Sequence, residues 1–295
     1  MDGSLGVAFL YGLAIFGGLG ALVSWRSSRR PVAVVDDLPW SIVWPTALHR
    51  WTGITIGAVV GIVIARSGEL ATGLLMAAPL FGLCTVVGVI TGELTIRPPR
   101  GPARTATLEV RRIRDYLPRS LSRAVAVTGI LLLALFAFTT AAGRPDGLGH
   151  AGRALSRQCG SDGPEFRVPW PGLFYTGRLA VAVAVGLLLA YVALCTIVRR
   201  PRPDRSTDAS VDDALRERAA RTVTGAVGIL LAVPLAGVSL TAANSLLLFS
   251  CGPKWWDDLG FGLLMLVPVS LTFAGWCAAP VLAPLTRANP RGRAQ

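Results

Sequence analysis

Side chains able to carry proton, metal or nucleophile chemistry are few and scattered in this sequence. Two histidines, His49 and His150, and a single lysine, Lys254, stand among 295 residues, and no HExxH, GxSxG or Walker-type glycine–lysine string occurs. Those motifs carry chemistry because they hold a metal, a base or a phosphate cradle at fixed spacing, and none of that spacing is met here. The sequence therefore implies no catalytic residues, no metal ligands and no cofactor, and the expectation is a protein that is not an enzyme.

What remains is a short set of polar candidates. Cys159 and Cys251 fall in two segments expected outside the membrane, where thiols meet an oxidising environment and pair, so one exterior disulfide is expected. Cys84, Cys195 and Cys277 lie within apolar runs and read as small packing residues. Glu93, in TGEL, sits just past an apolar run. It is either a proton or cation site facing His49 or Arg50 on a neighbouring helix, or an ion pair at headgroup level, with Arg97 four residues on as a partner. Arg178 and Asn244, the latter beside Thr241 and Ser245, either line an outward polar pocket or are a snorkelling arginine and an interhelical hydrogen bond. Gly53, Gly57 and Gly61 recur every four residues and give one helix a glycine face for close packing, within the chain or between two copies. Arg111, Arg112 and Arg114, interspersed with Leu108, Ile113, Tyr116 and Leu117, suit a basic segment lying on anionic lipid.

The elements that must position these residues are membrane spans. Hydrophobic residues make up 52% of the chain and charged ones only 16%, and apolar runs of about 20 residues recur, which fits a bilayer and not a water-facing fold. Spans are expected at about 5–23, 45–65, 70–91, 124–142, 174–198, 222–249 and 259–285. Between them lie cytoplasmic loops 24–44, 92–123 and 199–221 and outer loops 66–69, 143–173 and 250–258. The fold class is thus all-α, a polytopic bundle of about seven spans with its N-terminus outside and its C-terminus in the cytoplasm. The second span is short between Arg50 and Arg66, so its helix is expected to start at Pro45. Residues 31–48 ahead of it, with Trp40 and Trp44, read as an interfacial segment.

Charge sets the orientation. With the first loop inside, 22 of the 29 Lys and Arg residues lie on the cytoplasmic side, and the outer segments balance seven basic against seven acidic residues. The whole +12 net charge then faces the cytoplasm, as the positive-inside rule demands, so the basic balance points to anionic lipid and not to nucleic acid. Trp25, Trp40, Trp44 and Trp51 fall at the inner edge and Trp170, Trp255 and Trp256 at the outer one, where indole rings prefer to sit, and Trp276 lies within a span. The third cytoplasmic loop combines VRRPRP with a polar helix candidate, DDALRERAAR.

These strings resemble a group of uncharacterised multi-pass membrane proteins of high-GC actinobacteria. The likeness rests on GELTIRPPRGPARTATLEVRRIRDYLPR, GRALSRQCG, VPWPGLFY, VRRPRP and DDALRERAAR, from about residue 90 onward. It implies a bacterial plasma membrane and the same seven-span plan, and brings no activity with it. Two functions are consistent with the sequence. Glycine-rich spans, intramembrane prolines and the lack of a sizeable soluble domain suggest a permease component or small-solute transporter. Stapled outer loops with basic inner loops suggest a non-transporting sensor or scaffold, partnered by anionic lipid and a membrane or cytoplasmic protein.

Overall fold

The computed structural model describes residues 40–67, 72–95, 113–160, 163–199 and 209–282. The first expected span, residues 68–71 with the second half of the expected outer loop 66–69, Arg111, Arg112 and the C-terminal segment lie outside the described residues. Helix α1 (Trp40–Ser67) is followed by α2 (Thr72–Leu94), a single turn α3 (Ile113–Tyr116), α4 (Arg119–Ala142), a two-stranded antiparallel sheet of β1 (Leu155–Gln158) and β2 (Pro164–Arg167), then α5 (Leu173–Arg199), α6 (Ala209–Leu247) and α7 (Lys254–Leu282). Five of these helices, α1, α4, α5, α6 and α7, carry stretches long and apolar enough to cross a membrane, and α2 adds the shorter apolar stretch Pro79–Gly92.

The glycine face of α1 is occupied by α2. A Cβ on Gly53 would lie 2.7 Å from the Cys84 carbonyl oxygen and 2.8 Å from Gly88 Cα, Gly57 backs onto Phe81 and Cys84, and Gly61 onto Ala77. Rising numbers on α1 meet falling numbers on α2, so the two helices form a tight antiparallel hairpin. Small residues allow the backbones this approach, which exchanges lipid contact for dense helix–helix packing. The opposite side of α1 turns Ile56, Val59, Ile62 and Val63 outward.

Helix α6 is the axis of the bundle and touches α2, α3, α4, α5 and α7. Its sequence explains why. Between Val223 and Leu246 it offers Ala, Val, Leu, Gly and Ile around its whole circumference, and most of these are buried. Neighbours approach through glycines: Gly82 of α2 and Gly186 of α5 both face Leu230, while Gly225 and Gly228 of α6 receive Cys277 of α7. The expected loop 199–221 is helical over its second half, because DDALRERAAR runs without a breaker into the apolar stretch and forms the first turns of this 39-residue helix. In the same way α1 starts at Trp40, so the segment expected to lie along the interface is helical from there and Pro45 stands inside the helix.

Carbonyls in the last turn of a helix have no amide of that helix to accept, and one of these is met across the bundle. The Pro280 carbonyl stands in the last turn of α7. The Thr222 hydroxyl of α6 donates to that oxygen at 3.2 Å, which joins α6 to α7 near one end.

The helices alternate in direction, so the bundle has two unlike ends. One holds the start of α4, the end of α5 and the start of α6, with Arg119, Arg123, Arg199, Arg216, Arg218 and Arg221. The other holds the sheet and the connections 143–172 and 248–253. These are called the arginine end and the cap end below.

Candidate functional site: the cap and the arginine end

The cap is built on a buried carboxylate. Asp146 follows Pro145 in a glycine-rich turn, and its Oδ1 accepts the backbone N–H groups of Leu148 (3.0 Å) and His150 (2.8 Å). Its Oδ2 accepts the Arg153 Nη1–H at 2.6 Å and the His150 Nδ1–H at 3.1 Å. Removal from water would raise the carboxyl's pKa, but hydrogen bonds from the His150 N–H, the Arg153 guanidinium, the His150 ring and the Leu148 N–H outweigh it. The result is a group held well below the usual carboxylate range. The Arg153 Nε–H reaches the Tyr175 hydroxyl of α5 at 3.4 Å, so this turn is fastened to the helix that follows the cap. Gly152, at φ 73°, lets the chain pass under Gly172 and Leu173, where no side chain would fit.

Trp170 is the cap's anchor. It has no exposed surface, its Nε1–H donates to the Thr139 carbonyl at 2.7 Å, and its ring meets Phe138 edge-on. At the outer edge where the sequence places it, Trp170 is covered by protein. The last turn of α4 leaves Thr139 with a carbonyl to satisfy, and the indole N–H is inserted there. Next to it the Pro169 carbonyl accepts the Ser245 hydroxyl of α6 at 3.0 Å.

The sheet is tied to the α6–α7 connection by three different interactions. Cys159 and Cys251 form a disulfide, with Cα atoms 5.7 Å apart. The Glu165 carboxylate accepts the Ser250 hydroxyl (2.6 Å) and backbone N–H (3.2 Å), and pairs with the Arg167 guanidinium at 2.6 Å. The Ser250 hydroxyl is the main cause that holds Glu165 below its ordinary pKa, against a smaller upward push from burial and with further help from Arg167. The Arg157 guanidinium lies over the Trp256 ring, 5.5 Å from its centroid. Glu165 Oε2 is also 3.6 Å from Cys159 Sγ. Two thiolates and a carboxylate would be a metal donor set, but sulfurs bonded to one another are no longer thiolates and cannot serve as such ligands.

Strand β2 therefore alternates in an unusual sense. Glu165 and Arg167 turn toward the bundle, and Pro164, Phe166 and Val168 are exposed. A strand's side chains alternate faces, so turning Glu165 toward Ser250 puts the apolar set of the strand on the outside. Phe166 is 55% exposed and Leu148, at the tip of the Asp146 turn, 74%.

At the arginine end the most buried cation is Arg216. Its Nη1–H groups donate to the carbonyls of Ile197 (2.6 Å) and Val198 (2.8 Å), which are among the last in α5 and have no amide of their own helix to accept. Arg221 pairs with Glu217 at 2.9 Å, and the Tyr116 hydroxyl donates to Asp213 at 3.0 Å, bringing α3 onto α6. Arg114 is exposed beside it.

Of the polar residues singled out in the sequence, Cys159 and Cys251 are brought together. His49 and Arg50 lie on α1 and Glu93 in the last turn of α2. A Cβ on neighbouring Gly92 would stand 3.5 Å from His49 Cβ, so the two backbones bring these three residues to the same end of the hairpin. The Glu93 side chain lies outside the described part. The His49 Nδ1–H donates to the Pro45 carbonyl at 2.7 Å, and Arg50 is buried. Arg178 and Asn244 are both exposed, on α5 and α6, and no hydrogen bond joins them among the described residues. Thr241 and Ser245 spend their hydroxyl protons on backbone carbonyls.

Four contributors escaped the sequence reading. Asp146 was legible in part, since an aspartate before Gly-x-Gly favours a turn in which its side chain takes up N–H groups. Arg153, Glu165 and Arg216 find partners 7, 85 and about 19 residues away, and only tertiary structure makes those meetings. Compared with protein-family models, with curated proteins and with solved structures, the chain matches none.

Proposed function

We propose that the chain is a bacterial plasma-membrane protein of about seven spans, cap outside and arginine end in the cytoplasm, that works as a sensor or scaffold and not as an enzyme. The sequence count supports the orientation, since 22 of the 29 Lys and Arg residues fall in the segments expected inside, and the disulfide belongs on an oxidising side. The observation that carries the function is the cap itself. The disulfide, Glu165, Arg157, Trp170 and Asp146 fix it to three helices, and it presents Phe166, Val168 and Leu148 to the surroundings. Rigid presentation of apolar side chains suits recognition of a protein partner, because little conformational entropy is lost on binding. At the other end, exposed Arg114, Arg119 and Arg123, with Arg111 and Arg112 in the preceding segment, suit anionic lipid.

A second reading, a permease component for a small neutral solute, is favoured by one feature. Along α6, Val233, Gly237, Thr241 and Asn244 form a less buried stripe in the half nearer the cap, beginning beside Pro234. The experiment that separates the readings is recovery of the tagged protein in native lipid discs, with mass spectrometry of stoichiometric proteins and retained solutes. The scaffold reading expects a partner that Phe166→Glu releases while Asn244→Leu leaves it bound. A retained solute lost in Asn244→Leu, with no Phe166-dependent partner, would replace it with transport.

A further inference from the structure

Arg178 presents an unfilled requirement at a specific depth. Helix α5 has 27 residues, about 40 Å at 1.5 Å per residue, which matches a bilayer including its headgroups. Arg178 is five residues inside the cap end, about 7.5 Å along the axis, where the headgroup layer meets the hydrocarbon. Its guanidinium lies 4.5 Å from the centroid of the Phe174 ring, whose edge-on partner is His150 at 5.2 Å. Among the described residues no carboxylate or carbonyl accepts from it. A guanidinium carries five N–H donors in a planar fork suited to phosphate, and at this depth water is scarce.

The surface below it is equally specific. Val181, Val185, Leu188 and Val192 follow Arg178 at steps of three, four, three and four residues, which is one face of a helix, and all four are exposed. From Arg178 to Leu188 this stripe runs about 15 Å, the depth of one leaflet's hydrocarbon. A cationic fork above an apolar track of one leaflet's length has the outline of a single phospholipid.

We propose that Arg178, backed by Phe174, binds the phosphodiester of a glycerophospholipid in the leaflet at the cap end, with an acyl chain along Val181–Leu188. Phe174 holds the guanidinium flat and limits its rotamers, and Val181 and Val185 exclude water from the ion pair. The site adjoins His150 and the Asp146 turn, so bound lipid would contact the cap's base. It is distinct from the lipid contacts assigned to the arginine end.

The test uses the full chain, delipidated in detergent and titrated with dioleoylphosphatidylglycerol, with native mass spectrometry reading the tightest-bound lipid. Arg178→Gln is expected to weaken that lipid at least tenfold, the loss of a charge-assisted bidentate contact, and Arg178→Lys to weaken it less, with thermal unfolding unchanged in both. A diazirine-bearing acyl chain should label the wild-type protein between Val181 and Leu188, and this arm stands even if Arg178→Gln folds poorly. Equal lipid affinity in Arg178→Gln, or labelling elsewhere, overturns the proposal. Displacement of the lipid by inorganic phosphate at equal concentration would show that the guanidinium takes a free anion and would overturn it as well.

Discussion

Replacing Cys251 with serine removes the covalent tie between the sheet and the α6–α7 connection and leaves the two non-covalent ties in place. The cysteines are 92 residues apart. If the whole intervening chain became free on unfolding, closing that loop would contribute about 4.6 kcal/mol by chain entropy. Much of it is α5 and α6, which stay helical in a bilayer because their backbone groups have no other partners there. The chain actually released is 160–172 and 248–250, roughly 15 residues, for which the same relation gives about 3 kcal/mol. A loss of that size should lower the unfolding midpoint by about 6–12 °C if the cap unfolds with the bundle as a cooperative unit of roughly 150–250 residues. Trp170 and Trp256 lie on either side of the junction, so tryptophan fluorescence during a thermal ramp, with and without reductant, reads the change directly. Cys251→Ser and reduced wild type should coincide, and Cys159 should react with a membrane-impermeant maleimide in the variant but not in the oxidised wild type. An unchanged midpoint in Cys251→Ser, with Cys159 already reactive in the wild type, would refute the reasoning and reduce the staple to mere proximity.

Two further outcomes follow from the geometry. Gly53→Ala should destabilise the α1–α2 hairpin by about 1–3 kcal/mol, since its Cβ would stand 2.7 Å from the Cys84 carbonyl oxygen and backbone cannot give way cheaply, whereas Gly61→Ala, 3.4 Å from the Ala77 oxygen, should be close to neutral; comparing the two by thermal stability in detergent checks this, and equal losses would contradict it. Because Asp146 has a folded pKa below its unfolded one, its contribution is fully present above the ordinary carboxylate range and is lost only as pH falls through the lower folded value. Amide exchange at Leu148 and His150 should therefore stay slow at pH 5 and accelerate only in stronger acid, while Asp146→Asn should exchange fast at both; fast exchange in the wild type at pH 5 would count against the hydrogen-bonded turn.

Apolar length was the most legible property of the sequence. Five of the expected runs recur as helices long enough to cross a membrane, because in a bilayer the backbone has few alternatives to satisfying itself. The pairing of Cys159 with Cys251 was legible for a related reason, since sorting loops by side left two thiols together. DDALRERAAR reads as a polar helix and is helical, but the role of one residue in it was illegible: Arg216 is wholly buried on α5's terminal carbonyls, and nothing in its spacing distinguishes it from Arg218 or Arg221. The partner of Trp170 was illegible, because a tryptophan at a helix end has the same sequence context whether or not Thr139 is brought to within 2.7 Å of it. The cap's inward charges were illegible for want of any periodic signal in two strands of four residues each.

The ties of the cap also impose an order on how the protein is made. Cys159, Arg157 and Glu165 are synthesised before their partners Cys251, Trp256 and Ser250, which follow α6 in the chain. Until then the hairpin holds a free thiol, a carboxylate paired with Arg167 alone and an arginine without its ring. A chain that stops short of α7 leaves all three ties unmade. The closed cap thus requires a chain synthesised through the start of α7, and no shorter product can hold it.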